Sequence, residues 1–181
     1  MNFEITAPYK NHNYIAKAAE RFLAKYYPKK SYPIPIEEIV EFQLKLDIIP
    51  IPGLHKVFDV DGFLSSDRSS ISVDEGVYQS RPGRYRFTLA HEIGHLVLHK
   101  DIYEQCQFDN IAEWKEFIKR FPEKEYSWFE WQAYEFAGLV PATPAQWGKP
   151  GLETGVPSRR FRCSAPLRRG CFPHRWWSGC G

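Results

Sequence analysis

The segment Phe87-Thr-Leu-Ala-His-Glu-Ile-Gly-His-Leu-Val-Leu-His99 constrains this chain more than any other. Histidines at positions 91 and 95 lie one turn apart on one face if the segment is helical. That spacing lets both rings reach one tetrahedral Zn2+ at about 2.0–2.1 Å. Glu92 then projects beside the metal, placed to take a proton from a zinc-bound water whose pKa the ion lowers to about 7. The plain alternative is a helix with a surface His/Glu/His face. Against it, Phe87, Ala90, Ile93, Gly94, Leu96, Val97 and Leu98 surround the three titratable residues, and such groups rarely enter an apolar helix without partners. His99 continues the four-residue series, but each such step drifts about 40° off the face. It reads as a supporting or structural histidine rather than a ligand.

A catalytic zinc site takes a third protein ligand and keeps one position open. The segment Ser127-Trp-Phe-Glu-Trp-Gln-Ala-Tyr-Glu-Phe-Ala-Gly138 offers Glu130 and Glu135. Glu130 shares a helical face with Ala133, Tyr134 and Ala137, and the two alanines allow a close approach to the first helix. Glu135 lies about 140° away and is expected to face solvent. Ser127-x-x-Glu130 is also a capping box, so residue pattern alone leaves Glu130 evenly divided between cap and ligand. Tyr134 and His99 are the candidate supporting residues. His12, His55 and His174 read as surface residues, and Asp101 and Glu104 as weaker ligand alternatives.

The rest of the chain reads as one domain of residues 1–140 followed by a distinct tail of residues 141–181. Apolar periodicity predicts a helix from His12 to Tyr27, stopped by Pro28. Ser31–Ile36 reads as extended, because each Pro biases its predecessor away from helix. A helix is expected over Ile36–Leu46 with Glu37 and Glu38 in its first turn. Strands are expected at Asp47–Pro52, Gly62–Ser65 and Ser70–Val73. Further helices are predicted at about Tyr85–His99, Asn110–Phe121 and Ser127–Val140. Residues 141–181 contain six of the 14 prolines and six of the 12 glycines, with Leu152, Val156 and Leu167 as their only Leu, Ile or Val. Such a segment buries too little apolar surface to order itself, and it is expected to be disordered. It carries a net +6, leaving −4 for residues 1–140 of the chain's +2. Cys163, Cys171 and Cys180, with Cys106, match no zinc spacing and read as free thiols. No apolar run spans a membrane and no basic, then apolar, leader opens the chain, so a cytoplasmic location is expected.

Three stretches resemble the ImmA/IrrE family of metallo-endopeptidases: Tyr85–His99, close to the family's signature helix; Glu130-Trp-Gln-Ala-Tyr-Glu-Phe-Ala137, similar to its later Glu-x-x-Ala-x-x-Phe-Ala helix; and, more weakly, Ile34-Pro-Ile-Glu-Glu-Ile-Val leading to Leu46-Asp-Ile-Ile. The resemblance implies an α+β, zincin-like fold with an active-site helix, a small antiparallel sheet and surrounding helices. It implies Zn2+ as cofactor, held by His91, His95 and Glu130, with Glu92 as the catalytic base. It also implies a bacterial or mobile-element source and a protein substrate, in several members a helix-turn-helix repressor. One departure stands out. Phe136-Ala-Gly-Leu-Val-Pro141 reaches its proline about two residues earlier than the family pattern, and the Arg/Pro/Gly/Cys/Trp-rich tail begins there. That break is what a frameshift near codon 139 produces. The competing expectation is therefore a catalytically impaired metal-binding or partner-binding module. Membrane association and direct nucleic-acid binding are not expected, although Arg159, Arg160, Arg162, Arg168, Arg169 and Arg175 are interleaved with aromatics.

Overall fold

The computed structural model describes residues 6–28, 33–105, 108 and 110–140. The expectations for the tail, Cys106 and His174 lie outside the described residues. Helix α1 (His12–Tyr26) starts where the Asn11 side chain accepts from the Tyr14 N–H, and it buries Ile15, Ala18, Ala19 and Phe22, the face expected from their spacing. The next segment departs from the predicted continuous helix. It has one α-turn, α2 (Ile36–Glu38), then a π-helical turn, Ile39–Gln43. Lys45 follows at φ 57°, and the Leu46 N–H turns back onto the Val40 carbonyl at 3.0 Å. The wide turn keeps Ile36, Ile39, Val40 and Leu46 all buried.

Strand β1 (Asp47–Ile51) follows, then a short helix α3 (Leu54–Phe58) and strands β2 (Gly62–Leu64) and β3 (Ser70–Asp74). The sheet order is β1-β3-β2. β2 and β3 form an antiparallel hairpin, but β1 runs parallel to β3 with Asp47 opposite Ser70. The expected antiparallel sheet is thus corrected to a mixed one. A parallel pair needs a crossover of a dozen or more residues, and residues 52–69 supply it. Among the described residues β1 is an edge strand, where Pro50 is tolerated. The hairpin turn is held by the Ser65 hydroxyl, which accepts from the Ser69 and Ser70 amides and donates to Asp67.

Asp74 caps α4 (Glu75–Ser80) through the Val77 N–H. The long helix α5 (Pro82–Leu98) begins three residues before the expected Tyr85, with Pro82 in its first turn, where a missing N–H costs nothing. Helices α6 (Lys100–Tyr103), α7 (Ile111–Lys119) and α8 (Glu123–Leu139) follow among the described residues. α8 also starts earlier than predicted, behind Pro122, so Ser127 lies inside it and donates its hydroxyl to the Glu123 carbonyl at 2.8 Å. The capping-box reading of Ser127 and Glu130 is overturned, because the helix has no N-terminus there.

The α5–α8 contact positions everything that follows. Gly94 of α5 lies against α8 so closely that a Cβ there would sit 3.0 Å from both Cα and O of Ala133 and 3.3 Å from the Phe136 Cβ. Gly94→Ala is therefore expected to cost about 1–3 kcal/mol of overpacking, outweighing its gain in helix propensity. Gly83, with nothing within 4 Å of the same added atom, is the matched control. Gly83→Ala is expected to leave stability unchanged or raise it by about 0.4–1 kcal/mol. Urea unfolding of both variants checks the contrast, and equal effects would refute the close approach.

Candidate metal centre

Helix α5 carries His91, Glu92 and His95 on a stretch that is buried on most sides. The three are 9%, 4% and 3% exposed. Helix α8 brings Glu130 across from them. The Nε2 atoms of His91 and His95 face each other at 3.1 Å, and Glu130 lies 3.3 Å from His91 Nε2 and 3.8 Å from His95 Nε2. All three ligand-type atoms fall within 4.8 Å of one another, and this is the one such group among the described residues. Two nitrogens or oxygens each about 2.0–2.1 Å from a tetrahedral Zn2+ are about 3.4 Å apart. The separations here bracket that value, and two imidazole nitrogens 3.1 Å apart cannot both carry protons. The donor set therefore fits a metal such as zinc.

Charge and burial tune each group differently. Burial acts first on His91 and disfavours its cation, but the hydrogen bond and charge of Glu130, with that of Glu92, outweigh it and raise its pKa. Burial, with the neighbouring His91 and His99, pushes His95 well down. His99 is held at about 3, chiefly by burial and also by Lys10. Burial likewise pushes the Glu92 carboxyl up to about 7, against His91 and a hydrogen bond from the Leu64 backbone, which both favour its charge. Leu64 ends β2, so the sheet meets the site at this amide.

The structure places His99 behind His95, its Nδ1 3.0 Å from the His95 Nδ1, and away from the shared ligand point. The Tyr134 ring lies 4.4 Å from the His91 ring and 6.0 Å from Phe87, and it is 41% exposed. Glu135 is turned away and pairs with His12 at 2.5 Å, both partly exposed. The weaker alternatives are elsewhere: Glu104 pairs with Arg68 and Lys100 at the surface, and Asp101 is exposed. His55 contacts Asp61, which also takes a two-pronged ion pair from Arg84.

Two neighbours of the site went unnoticed in the sequence. Tyr126 is half-buried beside Glu130; burial, then the negative charge of that carboxylate and its hydrogen bonding with the phenol, raise the Tyr126 pKa. Its signal was available, since it precedes Glu130 by four residues on the same helix. Gln132 is fully buried, accepts from His99 Nε2 at 3.3 Å and donates to the Pro8 carbonyl at 3.1 Å. A lone amide between Trp131 and Ala133 offered a faint signal, and its backbone partner offered none.

No curated protein and no solved structure matches the chain. Residues 77–144 match the Peptidase M78 family model, the IrrE N-terminal-like domain, and the ImmA/IrrE resemblance read from the sequence is borne out over the segment that contains His91, Glu92, His95 and Glu130.

Proposed function

We propose that the protein is a zinc-dependent endopeptidase of zincin-like fold that cleaves a peptide bond in a regulatory protein, in the cytoplasm. His91, His95 and Glu130 are its metal ligands and Glu92 is its catalytic base. The observation that carries this reading is the convergence of the three ligand atoms within 4.8 Å, with the buried Glu92 carboxylate next to them in sequence, in a segment that matches a peptidase family. Zn2+ held by these three residues would supply Lewis acidity toward the scissile carbonyl and toward water. The chain's own residues do the rest. Glu92 accepts a proton from the attacking water at its carboxylate and returns it to the leaving amine. The Leu64 amide and the packing around α5 hold that carboxylate in place. Tyr126, one helical turn before Glu130 on α8, steadies that carboxylate through its hydroxyl. A helix-turn-helix repressor is the substrate class that the family resemblance suggests.

The compositional break after Val140 favours a second reading, in which the metal centre survives in a chain that binds a partner without turnover. Metal content does not separate the two, but hydrolysis of a mixed peptide pool does. For the metal itself, the purified protein is expected to carry about one Zn2+ per chain. His91→Ala combined with His95→Ala is expected to carry none. Elemental analysis checks this, and full zinc in the double variant would sink the ligand assignment. Among the described residues, no helix is long and apolar enough to cross a membrane.

A further inference from the structure

We infer that Gln132, oriented by the Pro8 carbonyl, acts through His99 to hold His95 in the tautomer protonated at Nδ1, which leaves the His95 Nε2 lone pair aimed at the metal position. Gln132 and His99 are on this account positioning residues. The inference rests on the proposal that His95 is a ligand, and extends it to groups that touch no metal.

The argument is a count of donors and acceptors. The Pro8 carbonyl can only accept, so the Gln132 atom 3.1 Å from it is the amide nitrogen. The Gln132 oxygen then faces His99 Nε2 at 3.3 Å. A carbonyl oxygen can only accept, so His99 carries its proton on Nε2. His99 is 1% exposed and its ring lies 4.4 Å from that of Phe129, an environment that keeps it neutral, with one N–H. Its Nδ1 is therefore a bare lone pair. It faces the His95 Nδ1 at 3.0 Å. Two lone pairs at that distance repel, so the His95 Nδ1 bears the proton and donates it. Neutral His95 is left with a bare Nε2, the atom 3.1 Å from His91 Nε2 and 3.8 Å from Glu130. A neutral histidine in water prefers the opposite tautomer, so the chain of bonds opposes an intrinsic bias. His91 differs: among the described residues its buried Nδ1 has no hydrogen-bond partner.

The first test reads the tautomer directly. Two-bond proton–nitrogen NMR correlations on the metal-free wild-type protein are expected to show His95 protonated at Nδ1 and His99 at Nε2. His95 protonated at Nε2 would overturn the inference. The second compares two substitutions by zinc competition against a chromophoric chelator. Gln132→Met keeps the shape and removes the acceptor. It is expected to bind zinc about 10–100-fold more weakly and to lose the single His95 tautomer. Gln132→Glu, its buried carboxyl keeping a proton on the oxygen that faces the Pro8 carbonyl, retains the acceptor toward His99 and is expected to restore both most of the affinity and the Nδ1-protonated ring. Wild-type affinity with an unchanged tautomer in Gln132→Met would refute the relay. If Gln132→Met does not fold, the wild-type spectrum decides alone. Absence of zinc binding by the wild type itself would overturn the ligand assignment instead, and the same spectrum would still decide the relay.

Discussion

Glu92→Gln is expected to lower peptide hydrolysis by about 10²–10⁴-fold while leaving zinc content unchanged. The amide has nearly the volume of the carboxylate, so the 4% exposed position is refilled without a cavity. It cannot accept a proton from water, however, and cannot deliver one to a leaving amine. Glu92 is not among the three residues whose ligand atoms converge, so the metal position keeps its full donor set. Losing the negative charge also removes one influence that raises the His91 pKa, which favours the neutral ring that a metal requires. Turnover and elemental analysis on the same preparation check both halves. Undiminished turnover would remove Glu92 from the chemistry, and lost zinc would make it a ligand or a structural support.

The second large effect is on stability. Phe129→Ala is expected to destabilise the protein by about 3–5 kcal/mol. Phe129 is 2% exposed, and its ring lies 4.2 Å from that of His95, 4.4 Å from His99 and 5.3 Å from Phe121, with Tyr103 and Tyr126 at 6.4 Å. Truncation leaves a cavity that two helices fixed by the Gly94 contact cannot collapse to fill. It also frees the two imidazoles to rotate, so the metal-free protein loses order at the site before it unfolds elsewhere. Urea unfolding of metal-free protein measures the cost. A loss below about 1 kcal/mol would show that this ring cluster is not the packed support of the site.

The contrast between what the residues announced and what they concealed follows the range of the forces involved. His91, Glu92 and His95 were legible because one helix sets their relation, and Ile15, Ala18, Ala19 and Phe22 because one helix face buries them. Glu130 was ambiguous from its local pattern. The start of α8 is decided by Pro122 with acids Glu123 and Glu125 behind it, not by Ser127. The π-helical turn at Ile39–Gln43 and the parallel pairing of β1 with β3 arise from how the chain must return to the core, and periodicity carries no record of that. The groups that address His99 were harder still, since one is a backbone carbonyl 124 residues from its partner.

That distance has a consequence for the order of assembly. Three side-chain hydrogen bonds clasp the N-terminal segment to α8: the Ala7 amide to Glu125, Gln132 to the Pro8 carbonyl, and His12 to Glu135, across 118, 124 and 123 residues. While the chain is being synthesised, residues 7–12 emerge first and their partners more than a hundred residues later. Closing so long a loop forfeits chain entropy before any contact repays it. The clasp is therefore expected among the later contacts to form, whereas the hydrogen bonds within α5 span only a few residues. His91 and His95 are side by side early, but the proton on His95 finds its place only when the two ends of the domain meet. On the proposed ligand assignment, a chain lacking residues 7–12 is expected to keep His91 and His95 side by side but to bind zinc more weakly than the whole chain.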